Sequence, residues 1–483
     1  MHLPRTFRLA RTAVAAGAVL ALAVPAAGAG ASLSTTAPSA DATPGVPCDR
    51  GSLPEHTQGR VPLADVNSGR AARGYTCNTR QVGHFGSTGG YRVERYVDRA
   101  GHQCAYYDAT LLFPKDIPIQ GAQTSGTYVM DMTNPARPVH TDTLRTPAFQ
   151  SPHESVRLNQ KRGLLVADMG YPTTNPGFVD VYDVTADCRH PVLKASSPLG
   201  VLGHESGFSP DGKTFYVASL FAHTLAAVDL SNPSVPKIAW FSYAYEPHGV
   251  SISNDGNRLY MADNTSGHVG LTVLDVSEVQ RRVLNPAVPM ISHLSWPGGS
   301  TPQNATPFTE RGHRYLEEND EFGATSGQVG AARIIDIQDE KHPFVVANMR
   351  LAVNQKTALA GPEKNDPGMS GPLAGLQGYA GHYCSLPSRV DPAVIACSFI
   401  LSGLRVFDIR NITHPIEAGY FNGPVTPSSN PNHVGSYAMS APAYDPTHNN
   451  LWYSDGNSGF YAVHLDKASG ITRFAPTTTL PGN

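Results

Sequence analysis

Charge is scarce in this chain. Of its 483 residues only 16% are Asp, Glu, Lys or Arg, and they leave a formal net charge of −3. Without a basic excess there is no field to hold a phosphate backbone or an anionic lipid surface, so neither nucleic acid nor a membrane surface is an expected partner. Past residue 31 no segment approaches 18 consecutive apolar residues, so no spanning helix is expected. No C-x-x-C pair occurs, which argues against a Cys/His zinc site. There is no G-x-S-x-G elbow to support serine-hydrolase chemistry. The cluster Gly86-Ser87-Thr88-Gly89-Gly90 lacks the helix and lysine of a phosphate loop.

Turn residues are what the chain has in quantity. With 46 Gly, 40 Pro and 40% hydrophobic residues, it reads as many short strands joined by tight turns, with little helix. The first 31 residues have the layout of a secretory signal: Arg5, Arg8 and Arg11, an apolar run from about Ala13 to Val24, then small residues to Ala29-Gly30-Ala31. Cleavage near Ala31 and a secreted, soluble product are expected. Residues 32–79 read as a Ser/Thr/Ala/Pro-rich disordered linker and N-terminal extension, and residues 476–483 as a tail. All six cysteines lie in the exported part, where disulfides persist. Cys384 and Cys397 sit on the arms of one expected hairpin and are assigned to each other. Spacing does not pair Cys48, Cys77, Cys104 and Cys188.

One element recurs: an apolar strand ending in Asp and an apolar residue, often followed by an Asn-Pro or His-Pro turn. Its copies are TYVMDMTNPARP from Thr127, FVDVYDVTADCRHP from Phe178, LAAVDLSNPSVP from Leu225, LTVLDV from Leu271, ARIIDIQDEKHP from Ala332, LRVFDIRNITHP from Leu404 and a degenerate FYAVHL from Phe460. Upstream of several copies stands a hairpin with a good turn, at Asp211-Gly212, Asp255-Gly256 and Asn449-Asn450. Seven copies predict an all-β, seven-bladed β-propeller over residues 80–475, with four-stranded antiparallel blades around a central channel.

These strings resemble the LVIVD-repeat family of secreted β-propellers, whose repeat centres on a Leu-Val-Ile-Val-Asp-like strand followed by Ser-Asn-Pro. The resemblance spans roughly Gln81 to Leu465. The segment from Glu246 to Asp263, EPHGVSISNDGNRLYMAD, is also similar to a unit of surface-layer and lactonase-type propellers.

Six histidines stand at what read as equivalent strand starts: His153, His204, His248, His313, His382 and His433. Antiparallel connection would put them at one mouth of the channel, together with the residues that close the second strand of each blade, such as Asp168 and Asp263. The first blade, starting near Tyr91, lacks one. Gln81–Phe85 is similar to Glu417–Phe421 and is expected to close the ring as the outer strand of the last blade, in competition with Ile471–Phe474.

Two readings of the histidines follow. They pack beneath neighbouring blades and bond backbone, leaving a propeller that is a binding scaffold for an extracellular protein or small molecule, monomeric and without chemistry of its own. Alternatively they hold a zinc, copper or iron ion, with Glu154 and Glu205 orienting an imidazole or moving protons, as in a lactonase-like hydrolase or a thiol oxidase of the selenium-binding-protein type. The acidic run Glu317, Glu318, Asp320 and Glu321 could supply such an ion with an oxygen ligand, although its short turn more simply places these groups in solvent.

Overall fold

The computed structural model describes residues 38–109, 126–150, 152–168, 176–296, 301–322, 329–355, 357–358, 378–425 and 436–475. Within them the strands form seven antiparallel sheets set as the blades of a propeller. The innermost strands, in chain order, are β3 (Val93–Val97), β7 (Arg157–Asn159), β11 (Gly207–Phe208), β15 (Pro247–Ile252), β19 (Thr301–Glu310), β23 (Gly381–Ser385) and β27 (Ala443–Asp445). Each pairs outward with the strand that follows it. The Asp-ended repeat forms the third strand of each of the first six blades, and its degenerate copy, β29 (Gly459–Leu465), does so in the seventh.

The recurrent Asp is explained by its bonds. Asp131, Asp183, Asp229, Asp275, Asp336 and Asp408 each accept, through Oδ1, the backbone N–H two residues on, at 2.8–3.0 Å. Such a bond turns the chain sharply after the strand, which a plain apolar ending would not do. The cores lie between blades. Leu164, Val166, Val179 and Val181 of the second blade, for example, pack on Phe215, Val217, Ala226 and Val228 of the third, all nearly or fully buried.

β2 (Thr79–Phe85) pairs with β29 from Thr79↔Leu465 to Phe85↔Phe460, so the N-terminal strand closes the seventh blade, as the likeness to Glu417–Phe421 implied. The expected tie from Cys384 to Cys397 is present, and Cys48–Cys77 and Cys104–Cys188 complete three disulfides, which point to an oxidising compartment. Among the described residues no helix is long and apolar enough to cross a membrane. The signal-like stretch lies outside the described residues.

Residues 38–79 depart from the linker reading. β1 (Tyr75–Cys77) adds a fifth strand to the sixth blade. Buried Arg405 bonds Glu55 at 2.6 Å and Glu417 at 3.2 Å, and Gln58 bonds Glu417 at 2.7 Å. A disulfide and a buried ion pair hold this segment, so its polar composition misrepresents it.

Candidate functional site

The site is built by the inner strands' first residues. In β15 and β23 the ladder slips at one residue, His248 and His382, and β19 slips at Gln303. A bulge leaves the extra residue unpaired and re-aims its side chain. In the second blade a turn, Pro152 to Ser155, precedes β7; Ser155 N–H donates to Pro152 O, and His153 takes a φ of 52°. That left-handed backbone is uncommon outside glycine. It frees Glu154 to place its carboxylate among the imidazoles.

Four imidazoles converge on that carboxylate. Nε2 of His204 and of His382 lie 3.1 Å from it, and those of His248 and His153 lie 3.8 Å away. Gln303 Nε2 donates to it at 2.8 Å. Glu321, at the end of β20 (His313–Glu321), lies 3.4 Å from His382 and 3.5 Å from His248. Ring centroids run 4.4 Å from Tyr91 to His153, 4.5 Å on to His204 and 4.6 Å on to His248. Tyr91 stands where the first blade lacks its histidine.

Two tautomers are set by backbone. His248 Nδ1 is 2.8 Å from Pro302 O and His382 Nδ1 is 2.5 Å from Met439 O. A carbonyl only accepts, so Nδ1 carries the proton, and Nε2 is the nitrogen left facing the centre. The contact of His382 with Glu154 is close but poorly aligned, and by hydrogen-bond geometry its buried Nε2 has no partner. Charge attraction needs no such alignment.

Electrostatics divides the ring. Burial, then the neighbouring His204, pushes His153 down to about 3, and the same two causes push His248 down to about 3. Burial alone would depress His382 as well, but its contacts with Glu154 and Glu321 override it and raise the group to about 10. His204 is likewise raised by Glu154 against its burial. Glu154, despite burial, is held well below the carboxylate range by His204 and His153.

One residue along, the next layer contains Glu205. Its carboxylate meets Arg157 at 2.5 Å, Asn304 at 2.6 Å and Arg92 at 3.3 Å, and burial pushes it up to about 8. Arg92 in turn lies over the Tyr383 ring at 4.7 Å.

The gathering of six histidines needs one correction. His313 opens the second strand of its blade, opposite Glu310, at the other end; it is partly exposed and bonds Asp336 at 2.7 Å. Its Gly-His string follows a hairpin turn, and the true equivalent in that blade is Gln303, legible from the parallel between Pro302-Gln303-Asn304-Ala305 and Pro247-His248-Gly249-Val250. His433 lies outside the described residues. The acidic run is also not in solvent: Glu317, Glu318, Asp320 and Glu321 form a buried strand, with Arg333 bonded to Glu318 and, at 2.5 Å, to Asp320. Arg333 comes from β21 (Ala332–Asp336), far enough along the chain that the run alone could not reveal it.

Comparison with known proteins agrees on architecture. The LVIVD repeat model matches residues 211–244, within the third blade. No curated protein matches the sequence. Among solved structures, a Lactobacillus plantarum protein superposes with a TM-score of 0.50 at 13% identity, over 79% of this chain and 97% of that one. The periplasmic gluconolactonase of Pseudomonas aeruginosa gives 0.43 at 15%, over 71% and 92%. The Cps50 (Swd1) β-propeller domain of Myceliophteria thermophila gives 0.48 at 10%, over 79% and 98%. At such identities the likeness is one of fold. The protein is a seven-bladed β-propeller that carries an LVIVD repeat.

Proposed function

We propose that the ring holds one transition-metal ion, and that the protein is an exported metal-dependent enzyme of hydrolytic or oxidative type. The supporting observation is the convergence of four Nε2 atoms from four blades on the Glu154 carboxylate, at 3.1–3.8 Å. Ligand atoms of His153, Glu154 and His204 already lie within 4.8 Å of one another. A tetrahedral ion with bonds of about 2.1 Å needs about 3.4 Å between ligands, a small contraction. Neutral imidazoles with a carboxylate favour zinc, copper or iron over calcium, which prefers oxygen alone. In this reading His153, His204, His248 and His382 are the ligands. Glu154 is a further ligand or the proton acceptor for a bound water, Gln303 orients it, and Glu205 stays in its arginine pairs.

Export rests on the signal-like first 31 residues together with the three disulfides. The scaffold reading retains one observation: two carboxylates, Glu154 and Glu321, face the two raised imidazoles, His204 and His382, so the ring opposes its own charges without an ion. Elemental analysis of the purified protein separates the two. About one equivalent of zinc, copper or iron is expected, lost in His382→Gln and kept in His313→Gln. Less than about one-tenth equivalent, with no uptake on titration, rejects the metal reading and leaves a scaffold.

A further inference from the structure

Beyond the Glu205 layer lies a cavity of about 110 Å³, lined from the inner strands. It is lined by the guanidinium groups of Arg92, Arg95, Arg157 and Arg389, and by a single carboxylate residue, Glu94. Arg92, Arg95 and Arg389 are each more than nine-tenths buried, and the Nε of all three is buried without a hydrogen-bond partner. Glu205, at the cavity's inner end, is shared by Arg92 and Arg157, so a single carboxyl group, itself pushed up by burial, faces two guanidinium groups. Arg95 lies 3.7 Å from Asp445.

Arg389 is the most exposed to this imbalance in electrostatic rather than steric terms. It follows β23, and its guanidinium reaches past the fifth blade to the fourth, where it donates to Ile252 O at 2.6 Å and to Asn254 Oδ1 at 3.1 Å. Both partners are neutral. Among the described residues no carboxylate pairs with it, and burial pushes it down to about 10. A buried cation without a counter-charge is costly, so such a group is kept where an anion completes it. Guanidinium is also the side chain that matches carboxylate and phosphate oxygens, two bonds at a time.

We infer that this cavity is a binding site for a small oxyanion, a carboxylate or a phosphate, entering from the mouth opposite the histidine ring. The site is separate from the proposed metal centre: the Arg92–Glu205–Arg157 layer stands between them, and its lining includes none of the ring histidines. Ser385 and Thr306 also line the cavity, their hydroxyls donating to Pro442 O at 2.5 Å and to Asn304 Oδ1 at 2.9 Å.

The test is calorimetric titration of the full-length exported protein, at low chloride, with inorganic phosphate and separately with succinate. The two arms distinguish a phosphate site from a carboxylate site. Saturable one-to-one binding of at least one of them is expected. Arg389→Gln leaves a shorter hydrogen-bonding side chain and removes the charge, and should weaken that binding at least tenfold. Thr306→Glu puts a second carboxylate into the lining and should abolish it, while Thr306→Ser should bind as the parent does. Metal content serves as the independent control and should be unchanged in all three. Binding of neither anion, or equal affinity in the parent and Thr306→Glu, would overturn the inference. Loss of metal in Thr306→Glu would also refute it, because the two sites would then be one.

Discussion

Replacing Glu154 and Glu321 together by Gln should erase a defined part of the metal-free protein's pH dependence. His382 is raised to about 10 in the folded chain, against about 6.5 when unfolded. A raised group contributes stability that is complete below the unfolded value and declines as pH rises toward the folded one. Below pH 6.5 the contribution is at most about 5 kcal/mol, from a shift of roughly 3.5 units at 1.36 kcal/mol each. Between pH 6.5 and 8.5, somewhat under two units of it are lost, about 2 kcal/mol. Without the two carboxylates, burial dominates, His382 folds neutral, and this slope disappears.

Glu205 and Asp168, both pushed up to about 8 chiefly by burial, add their own alkaline loss; both remain in parent and variant, so the burial part cancels, and only the lesser push of Glu154 on Glu205 differs. The assay is urea denaturation in EDTA, disulfides intact, at pH 6.5 and 8.5. The parent should lose about 2 kcal/mol more than the double variant across that interval. Glu154→Gln alone should fall between them, since Glu321 still lies 3.4 Å from His382. Parallel pH profiles for all three proteins would refute the charge assignment of the ring.

Further outcomes follow from other contacts. Gly249→Ala would set a Cβ 1.9 Å from Glu205 Oε2 and 2.4 Å from Gln303 O, so it should cost several kcal/mol by thermal melting; an unchanged melting temperature would contradict this packing. Arg333→Met leaves Glu318 and Asp320 buried without their cation and should destabilise by about 3–5 kcal/mol at pH 7, measured by denaturant unfolding. Acidification should narrow that deficit, because protonated carboxyls no longer need the cation. Breaking Cys104–Cys188, separated by 84 residues, should cost about 4.5 kcal/mol by loop entropy, against about 3 kcal/mol for Cys384–Cys397, separated by 13. A reversed order in equilibrium unfolding would count against the entropic account.

Architecture was legible in the chain because a propeller repeats its local rules. The Asp that ends each third strand, the Asp-Gly hairpin turns and the likeness between Gln81–Phe85 and Glu417–Phe421 are short-range signals, and blade count and ring closure followed from them. The ring was legible where the motif stands just before an inner strand, as at His153 and His204, and where the motif and the bulge coincide. His248 and His382 met both conditions, whereas His313 met only the motif, standing after a turn at the wrong end of its strand. Gln303 met only the bulge.

What sequence alone determined, then, was a seven-fold ring of strands with histidines near its axis. Tertiary structure decided which side chains share that axis. A one-residue slip in the ladder turns a side chain from a blade's face toward the channel, and composition does not record such a slip. Charge is similar: Glu154 is held well below the carboxylate range with the help of histidines 50 and 228 residues later, at positions 204 and 382, while burial pushes Glu205 up to about 8. Those fates depend on what folding packs around each carboxylate, and only the closed ring brings those groups together.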